Sequence, residues 1–351
     1  MQYTMTSMQR VLTTLGFQEP DRVPFFLLLS LHGARELGMS LKEYFSRGEY
    51  VAEAQLAMQK RYGHDCLDGF FYAAIETEAR GGHVIYREDG PPNAGAPIIH
   101  GLTEIDHLQP PPVESTPRLQ EVLKAIRIMH ERVKDEVPII GVVMSPFSLP
   151  VMQMGFDHYI DLMMENPKVL GKLLRINEEF CISYANAQLA AGATAICYFD
   201  PLASPSMVPR DLYLKTGFQS ACRVLPAIKG PVATHLASGR SLSILGDLVK
   251  TGTQMVGISA DENLETVKQA CWGKLSLLGN LNGVEMRRWT TEQTERIVKE
   301  TILKGGPGGG FILSDNHGEI PFQVPDFVLE TISESVLRWG QYPLHSREKN
   351  Q

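Results

Sequence analysis

The sequence predicts an α/β fold, namely a single (β/α)8 TIM barrel. Short apolar, β-branched or aromatic segments recur eight times along the chain and alternate with amphipathic stretches, which is the element order of a barrel. Several of these segments are continuously apolar instead of alternating, which is typical of parallel strands covered on both faces. The two observations together favour a parallel sheet enclosed by helices.

Most predicted strands end at, or directly before, a small or polar residue, and the polar residues that follow them are candidates for a site. In chain order the predicted strands are Val23–Leu29, Cys66–Phe71, Pro138–Met144, Thr194–Phe199, Pro231–His235, Gln254–Ile258, Leu275–Gly279 and Gly310–Leu313.

Helices are predicted where apolar residues are spaced three and four apart. One helix covers Glu49–Tyr62 and stops at Gly63. Another, Thr290–Leu303, opens with Thr-Thr-Glu-Gln, in which a threonine suits helix capping and an acid lies in the first turn. The remaining long helices are Pro117–Val133, Pro167–Ala191 and the closing Val324–Trp339.

The longest gap between strands follows the second strand. Residues 82–117 include Arg-Glu-Asp-Gly-Pro-Pro and a run of prolines, which predicts an insertion near the barrel mouth and not a second domain. We expect one domain over residues 1–351, with a loose polar tail at 346–351. A doubly wound open sheet is the alternative fold, but it needs a phosphate-binding glycine turn after its first strand, and Ser30-Leu31-His32-Gly33 is not one.

Composition excludes several classes of protein. The net charge of −7 disfavours a nucleic-acid binder, which needs a basic surface. The five cysteines are far apart and form no C-x-x-C pair, so neither a disulfide framework nor a thiolate zinc site is indicated. No apolar run is long enough to cross a membrane, and the first residues lack a signal-peptide pattern. We therefore expect a cytoplasmic protein.

Three potential metal ligands follow strands five, six and eight. They are His235, Asp261 and His317, and the carboxyl ends of barrel strands converge on one cavity. Two imidazoles and one carboxylate with an open position make a plausible zinc site. Each residue also has a simpler explanation: a hydrogen-bonded core histidine, a helix cap, or a turn made with Gly318.

Other residues at strand ends are candidates to bind or orient a substrate. Asp200 and Asn316 are candidate catalytic groups beside His317. The candidate substrate-binding residues are Tyr72, Glu76, Met144, Tyr198 and Asn280.

Several segments resemble one enzyme superfamily. They are Gly33–Tyr44, Tyr62–Asp65, Glu76–Ala79, Asp200–Ser204, Gly279–Leu281 and Gly309–Pro325. In order and spacing they are similar to the corrinoid-linked methyltransferase branch of the uroporphyrinogen decarboxylase superfamily. The resemblance covers nearly the whole chain and implies the same barrel.

Departures from the superfamily patterns separate its branches. Uroporphyrinogen decarboxylases carry two arginines near the N-terminus that bind porphyrinogen carboxylates, whereas the matching region has only Arg35. His317-Gly318 nevertheless resembles the decarboxylases' last histidine motif. The methylcobamide:thiol methyltransferases bind zinc through His-x-Cys and a later cysteine, but here Ala237 stands at the first cysteine position and His317 lies near the second. The harder ligand set suits an oxygen ligand better than a thiol.

The resemblance implies transfer of a methyl group between a small methylated substrate, best an aryl methyl ether, and the cobalt of a corrinoid protein. Zinc or a protonated His317 would stabilise the leaving oxygen, and the corrinoid would be carried by the partner. A homodimer is compatible with the resemblance. Three alternatives stay open: a lyase acting on a small carboxylic acid, a methylcobamide:thiol methyltransferase, and a non-enzymatic binding subunit with a degenerate metal site.

Overall fold

The computed structural model describes residues 4–344 and contains a parallel sheet surrounded by helices. The strands are β1 (Leu67–Asp68), β2 (Val84–Ile85), β3 (Asn93–Ala94), β4 (Ile139–Met144), β5 (Ala195–Phe199), β6 (Val232–His235), β7 (Met255–Gly257), β8 (Ser276–Leu281) and β9 (Phe311–Asp315). Seven of them form the sheet β1-β4-β5-β6-β7-β8-β9, with every pair parallel, while β2 and β3 form a separate antiparallel pair.

Helices follow the sheet strands and cover the outer face of the sheet. They are α1 (Ser7–Leu15), α2 (His32–Glu36), α3 (Leu41–Tyr44), α4 (Gly48–Tyr62), α5 (Ile75–Glu78), α6 (Pro117–Val133), α7 (Pro150–Met154), α8 (Phe156–Glu165), α9 (Pro167–Ala190), α10 (Arg210–Lys215), α11 (Gly217–Val224), α12 (Leu245–Thr251), α13 (Leu264–Cys271), α14 (Thr291–Gly305) and α15 (Asp326–Trp339). Short 3-10 helices lie at Leu102–His107, Val113–Ser115, Pro201–Ala203, Leu225–Ala227, Leu242–Ile244 and Glu285–Arg288.

The predicted first strand, Val23–Leu29, is extended but is not a regular strand. The amide of Phe26 donates to Leu313 O at 2.8 Å on one side, and Phe25 O accepts from the amide of Asp65 at 2.8 Å on the other. The segment therefore lies between β9 and the chain entering β1, in the place of an eighth strand. Regular pairing fails because Pro24 has no N–H and the amide of Phe25 donates to the Asp65 carboxylate at 2.9 Å. We call the sheet and this segment together the barrel.

Helix ends match the sequence prediction where capping chemistry marks them. Helix α6 has the predicted bounds, and Thr290 caps α14 as predicted, in a capping box with Gln293. Gly63 ends α4 in the left-handed conformation, with φ of +68°. Strand ends were less predictable, and β1 in particular keeps only two of the six predicted residues.

The segment at residues 82–117 contains the β2–β3 pair and two 3-10 helices. Its residues Pro91, Pro92 and Asn93 line the cavity described below, which puts them at the barrel mouth. The classification of this segment as an insertion stays a prediction. The predicted polar tail at 346–351 lies outside the described residues.

The two faces of the barrel are packed differently. Outward side chains join a large apolar core with the helices, whereas Phe26, Leu28, Met255, Leu278 and Ile312 belong to a smaller apolar cluster that also includes Val11 of α1. Along β4, β5 and β6 the inward residues are more accessible than their outward neighbours. The interior is therefore incompletely filled. Within residues 4–344, no helix combines the length and the apolar character that crossing a lipid bilayer requires.

Candidate functional site

A cavity of about 290 Å³ occupies the barrel interior. Most of its lining is apolar, and two aromatic rings, Phe70 and Phe199, stand among the lining residues that follow or end strands. His235, His317 and Glu319 line it at the carboxyl ends of the strands, and Asp68 lines it from β1. An apolar cavity with a few convergent polar groups is the usual form of a small-molecule site.

Small residues on three neighbouring strands leave this space open. Cys197 on β5, Ala233 on β6 and Gly257 on β7 all line the cavity. Barrel interiors are normally filled by bulky branched side chains at such positions. The cavity therefore follows directly from the sequence of β5, β6 and β7.

The imidazole of His235 is held in a fixed position at the end of β6. A Cβ at Gly257 would lie 2.5 Å from His235 Cδ2, and one at Gly318 would lie 3.2 Å from Cε1, so both glycines make room for the ring. Phe199 stacks on it with centroids 5.6 Å apart. Burial, and then the nearby His317, lower the pKa of His235 to about 4. The ring is therefore neutral at pH 7.

The tautomer of His235 follows from its backbone contact. The amide of Ala237, a residue with φ of +50°, donates to His235 Nδ1 at 3.1 Å. The neutral ring therefore carries its proton on Nε2. That nitrogen is buried and has no partner among the described residues, so His235 offers a free N–H donor beside the cavity.

His317 is the second imidazole on the cavity. Its Nδ1 forms a hydrogen bond with the hydroxyl of Ser238, and burial lowers its pKa. The loop that carries it is fixed by Asp315, whose Oδ2 accepts from the amides of His317 at 2.7 Å and Gly318 at 3.1 Å. His317 is half-buried and so is less constrained than His235.

Three acidic side chains form what we call the mouth carboxyl cluster: Asp68, Asp315 and Glu319. Burial raises the pKa of each to about 7. The charge of Asp315 further raises the pKa values of the other two groups. Hydrogen bonds act in the opposite direction, including the one that Ser30 Oγ donates to Glu319 Oε2 at 2.6 Å. Near neutral pH, part of the cluster therefore carries protons.

The predicted zinc triad is not assembled. Asp261 is exposed and its amide donates to Ser259 Oγ, so its side chain faces solvent while His235 is buried. The proton on His235 Nε2 also opposes metal binding through that nitrogen. Among the described residues no group of three His, Cys, Asp or Glu side chains is arranged to hold a metal ion. The residues present do not fit zinc, which corrects the ligand set His235, Asp261 and His317.

Two further candidates, Asp200 and Asn316, lie off the cavity. Asp200 is buried, and its Oδ1 accepts from the hydroxyls of Ser145 and Ser148, both at 2.6 Å. Burial raises the pKa of Asp200 to about 6. Asn316 accepts from the amide of Gly283 at 3.3 Å. Both residues brace loops at the strand ends and do not line the cavity.

The predicted substrate-binding residues also lie elsewhere. Tyr72, Glu76 and Met144 line a much smaller pocket that adjoins the cavity, in which Glu76 Oε1 accepts from the amide of Met144 at 2.7 Å. Tyr198 points outward into the core between sheet and helices. Asn280 borders a surface cleft and donates to Ser259 O at 3.0 Å. For Tyr198 the cause is the two-residue period of strands, which reverses the face of a side chain with each step, since its neighbours Cys197 and Phe199 line the cavity.

Comparison with known proteins identifies the family. The family model for uroporphyrinogen decarboxylase (URO-D) matches residues 6–339 of the chain. The chain belongs to the uroporphyrinogen decarboxylase family.

Relatives in this family carry two kinds of name. The uroporphyrinogen decarboxylase of Actinobacillus pleuropneumoniae serotype 5b (strain L20) is 25% identical and covers 93% of this chain and 96% of its own length. The methylcobamide:CoM methyltransferase MtaA of Methanosarcina barkeri (strain Fusaro / DSM 804) is 30% identical over 168 residues, 47% of this chain and 49% of its own. A solved methyltransferase from Methanosarcina mazei has a TM-score of 0.81 at 20% identity and covers 95% of this chain and 99% of its own, which shows a shared fold.

Two acidic residues that line the cavity, Asp68 and Glu319, were not predicted from the sequence. Asp68 lies within an apolar strand segment, and Cys66, Asp68 and Phe70 alternate toward the interior. The sequence signal that could have identified Asp68 is a carboxylate at an inward position of a buried strand, where burying a charge is costly. Glu319 follows the candidate His317 by two residues, and only the fold of that loop shows that it reaches the cavity.

Proposed function

We propose that this protein transfers the methyl group of a small aryl methyl ether to the cobalt of a corrinoid carried by a partner protein. The observation that carries the proposal is an apolar cavity with donor groups at its mouth. These groups are the N–H of His235 Nε2, which can donate a hydrogen bond, and the protonated members of the mouth carboxyl cluster, which can donate a proton. The methyltransferases among the relatives and the shared fold support the same reaction class.

The cavity suits a flat and mostly apolar ligand. A benzene ring would lie against the apolar inner wall, with Phe199 and Phe70 beside it. The ether oxygen would lie near His235 Nε2 and Glu319, because these polar groups occupy the same end of the cavity. In this orientation the methyl group points to the mouth, where a large partner can reach it.

The chemistry requires a donor at the oxygen. When the bond between oxygen and the methyl carbon breaks, the electron pair stays on oxygen, and a bare phenolate is a poor leaving group. The His235 N–H would stabilise the developing negative charge, and Glu319 would deliver its proton to the oxygen to form the neutral phenol. A carboxyl group with a pKa of about 7 is well matched to this role at neutral pH.

The corrinoid supplies the reduced cobalt that accepts the methyl cation equivalent. A corrinoid ring is much larger than this cavity and must stay outside the mouth, which agrees with delivery by a partner protein. Because the candidate ligands do not fit zinc, no step here depends on a metal ion held by this chain.

Decarboxylation of a porphyrinogen is disfavoured by the charge of the cavity. No Arg or Lys side chain is among its described lining residues, whereas Asp68 and Glu319 are. A substrate with many carboxylates would meet acidic side chains and no guanidinium to bind it.

Methylation of cob(I)alamin tests the proposal. The purified protein is supplied with 2-methoxyphenol, a methylamine or a methyl thiol, and with either free cob(I)alamin or a cob(I)alamin-loaded corrinoid protein; methylcobalamin is followed by its absorbance. We expect transfer from 2-methoxyphenol and release of catechol. Consumption of a small carboxylic acid without cobalamin would instead support a lyase.

Two variants separate the proton donor from general damage. Glu319→Gln keeps the size of the side chain and should slow transfer by about 100-fold. Asp261→Asn changes an exposed acid nearby and should leave the rate unchanged. Equal rates for Glu319→Gln and wild type would remove Glu319 from the mechanism.

A further inference from the structure

We propose that the barrel interior is a tunnel with a second opening at its N-terminal end, which admits a small neutral aromatic molecule from the side opposite the mouth. The opening itself follows from the geometry of the cavity. Only the identity of the physiological ligand rests on the proposed function.

Exposed residues line the cavity at both ends. At the mouth its lining includes the exposed residues Pro91 and Asn93. At the opposite end it includes Pro231 and Gln254, which precede β6 and β7 and are also exposed, together with Leu12 of α1, which is 57% exposed. Residues that line one cavity and are exposed at opposite ends of the strands imply two openings.

The interior between these ends is accessible. On β5 the inward residues Ala195, Cys197 and Phe199 are partly exposed, whereas the outward Ile196 and Tyr198 are completely buried. Ala195 stands at the lower end, Cys197 in the middle and Phe199 at the mouth, so one strand lines the whole length. A closed barrel core would show the opposite burial pattern, with its inward residues fully buried.

The two ends differ in chemistry. The lower end is lined by α1 through Met8, Val11, Leu12 and Leu15, all apolar. The histidine and carboxylic acid side chains among the described lining residues, which are His235, His317, Asp68 and Glu319, lie higher. A neutral aromatic molecule would therefore cross an apolar lower section and stop where its polar substituent meets these groups, whereas an ion would lose its hydration on entry.

The second opening would let small molecules enter and leave the cavity while the mouth is occupied. A partner seated on the mouth would close that entrance for as long as it stays. With the lower opening, a substrate could enter and a phenol could leave without dissociation of the partner.

Exchange of fluorobenzene, followed by 19F NMR, tests the tunnel without any methyl transfer. Gln254→Trp places a bulky ring at the lower opening, Asn93→Trp places one at the mouth, and a third variant carries both. Gln254→Ser and Asn93→Ser are the matched small controls. Both positions are exposed, so folding should be preserved, which circular dichroism checks.

Two parallel routes predict a particular pattern. Each tryptophan alone should slow exchange by only about twofold, and the double variant by about tenfold or more, with little change in Kd for either single variant. If Asn93→Trp alone has the full effect and Gln254→Trp adds nothing, the cavity has one entrance and the tunnel is wrong. If fluorobenzene does not bind at all, the proposal also fails.

The outcome is independent of the methyl-transfer assay. Two-route exchange of fluorobenzene without transfer from 2-methoxyphenol would support the tunnel and contradict the proposed function. Transfer with exchange through the mouth alone would do the reverse.

Discussion

Two buried aspartates only three positions apart, Asp65 and Asp68, have different electrostatic surroundings in this barrel. Asp65 is fully buried and accepts hydrogen bonds from Arg10 at 2.6 Å and from Arg22 at 2.7 and 3.0 Å. Asp68 is 2% exposed, and the nearby charges are those of Glu319 and Asp315.

The difference assigns the two groups to different tasks. The cluster of Asp65, Arg10, Arg22 and Asp21 ties α1 to the start of the barrel through paired charges. Within residues 4–344 no ion pair involves the mouth carboxyl cluster, and its members keep protons near neutral pH. Charge pairing thus fixes structure at one end, and its absence leaves proton donors at the other.

The largest effect should come from Asp65→Asn. It removes the buried carboxylate that the guanidinium groups of Arg10 and Arg22 share, which should lower the free energy of unfolding by about 3–5 kcal/mol. Asp68→Asn should be neutral or stabilising at pH 8, because it removes an acid whose ionisation burial opposes. Urea unfolding of both variants checks this. Equal destabilisation by the two substitutions would contradict the assignment of a structural role to Asp65 alone.

The pH dependence of stability sharpens the same comparison. The folded pKa values of the mouth carboxyl cluster lie near 7, above the ordinary values of 3.8 for Asp and 4.5 for Glu. At pH values between the ordinary and the folded pKa values, these carboxyl groups are ionised in the unfolded chain but still protonated in the folded chain. Rising pH therefore favours unfolding. Stability should fall from about pH 4 to about pH 7, by at most about 1.4 kcal/mol per pH unit for each group.

Asp68→Asn is the matched variant for this measurement. It should make the fall in unfolding free energy between pH 5 and pH 7 shallower, and the curves should approach each other at low pH, where the acid is protonated in both states. An unchanged slope would mean that Asp68 titrates near its ordinary value.

Shape, not charge, holds His235 at the mouth, and Gly257→Ala tests this. The new Cβ would lie 2.5 Å from His235 Cδ2 and must displace the ring. We expect a destabilisation of about 1 kcal/mol and an activity loss larger than this explains. Gly171→Ala is the control, because its Cβ would meet open space inside α9; it should stabilise slightly. Wild-type activity of Gly257→Ala would show that the position of His235 is unimportant.

The same contrast explains what the sequence could and could not predict. Helix ends were predictable from local chemistry, such as Thr290 and Gly63, because capping needs only neighbouring residues. The first strand was not, because a side chain 40 positions away, Asp65, takes the amide of Phe25. Position at a strand end led to His235 and His317, but the direction of Tyr198 depended on register, which position alone does not give.

The smallest effect should come from Asp261, the acid that was predicted to complete a zinc site. Its side chain is exposed, unlike the buried side chains of Asp65 and Asp68. Asp261→Asn should change stability by less than about 0.5 kcal/mol and leave methyl transfer unchanged. Metal analysis of wild type and variant completes the test. Stoichiometric zinc in the wild type that is lost in the variant would support the predicted zinc site and contradict the proposed role of the proton donors. If neither protein holds zinc and both turn over equally, His235 and the mouth carboxyl cluster suffice to stabilise the leaving oxygen.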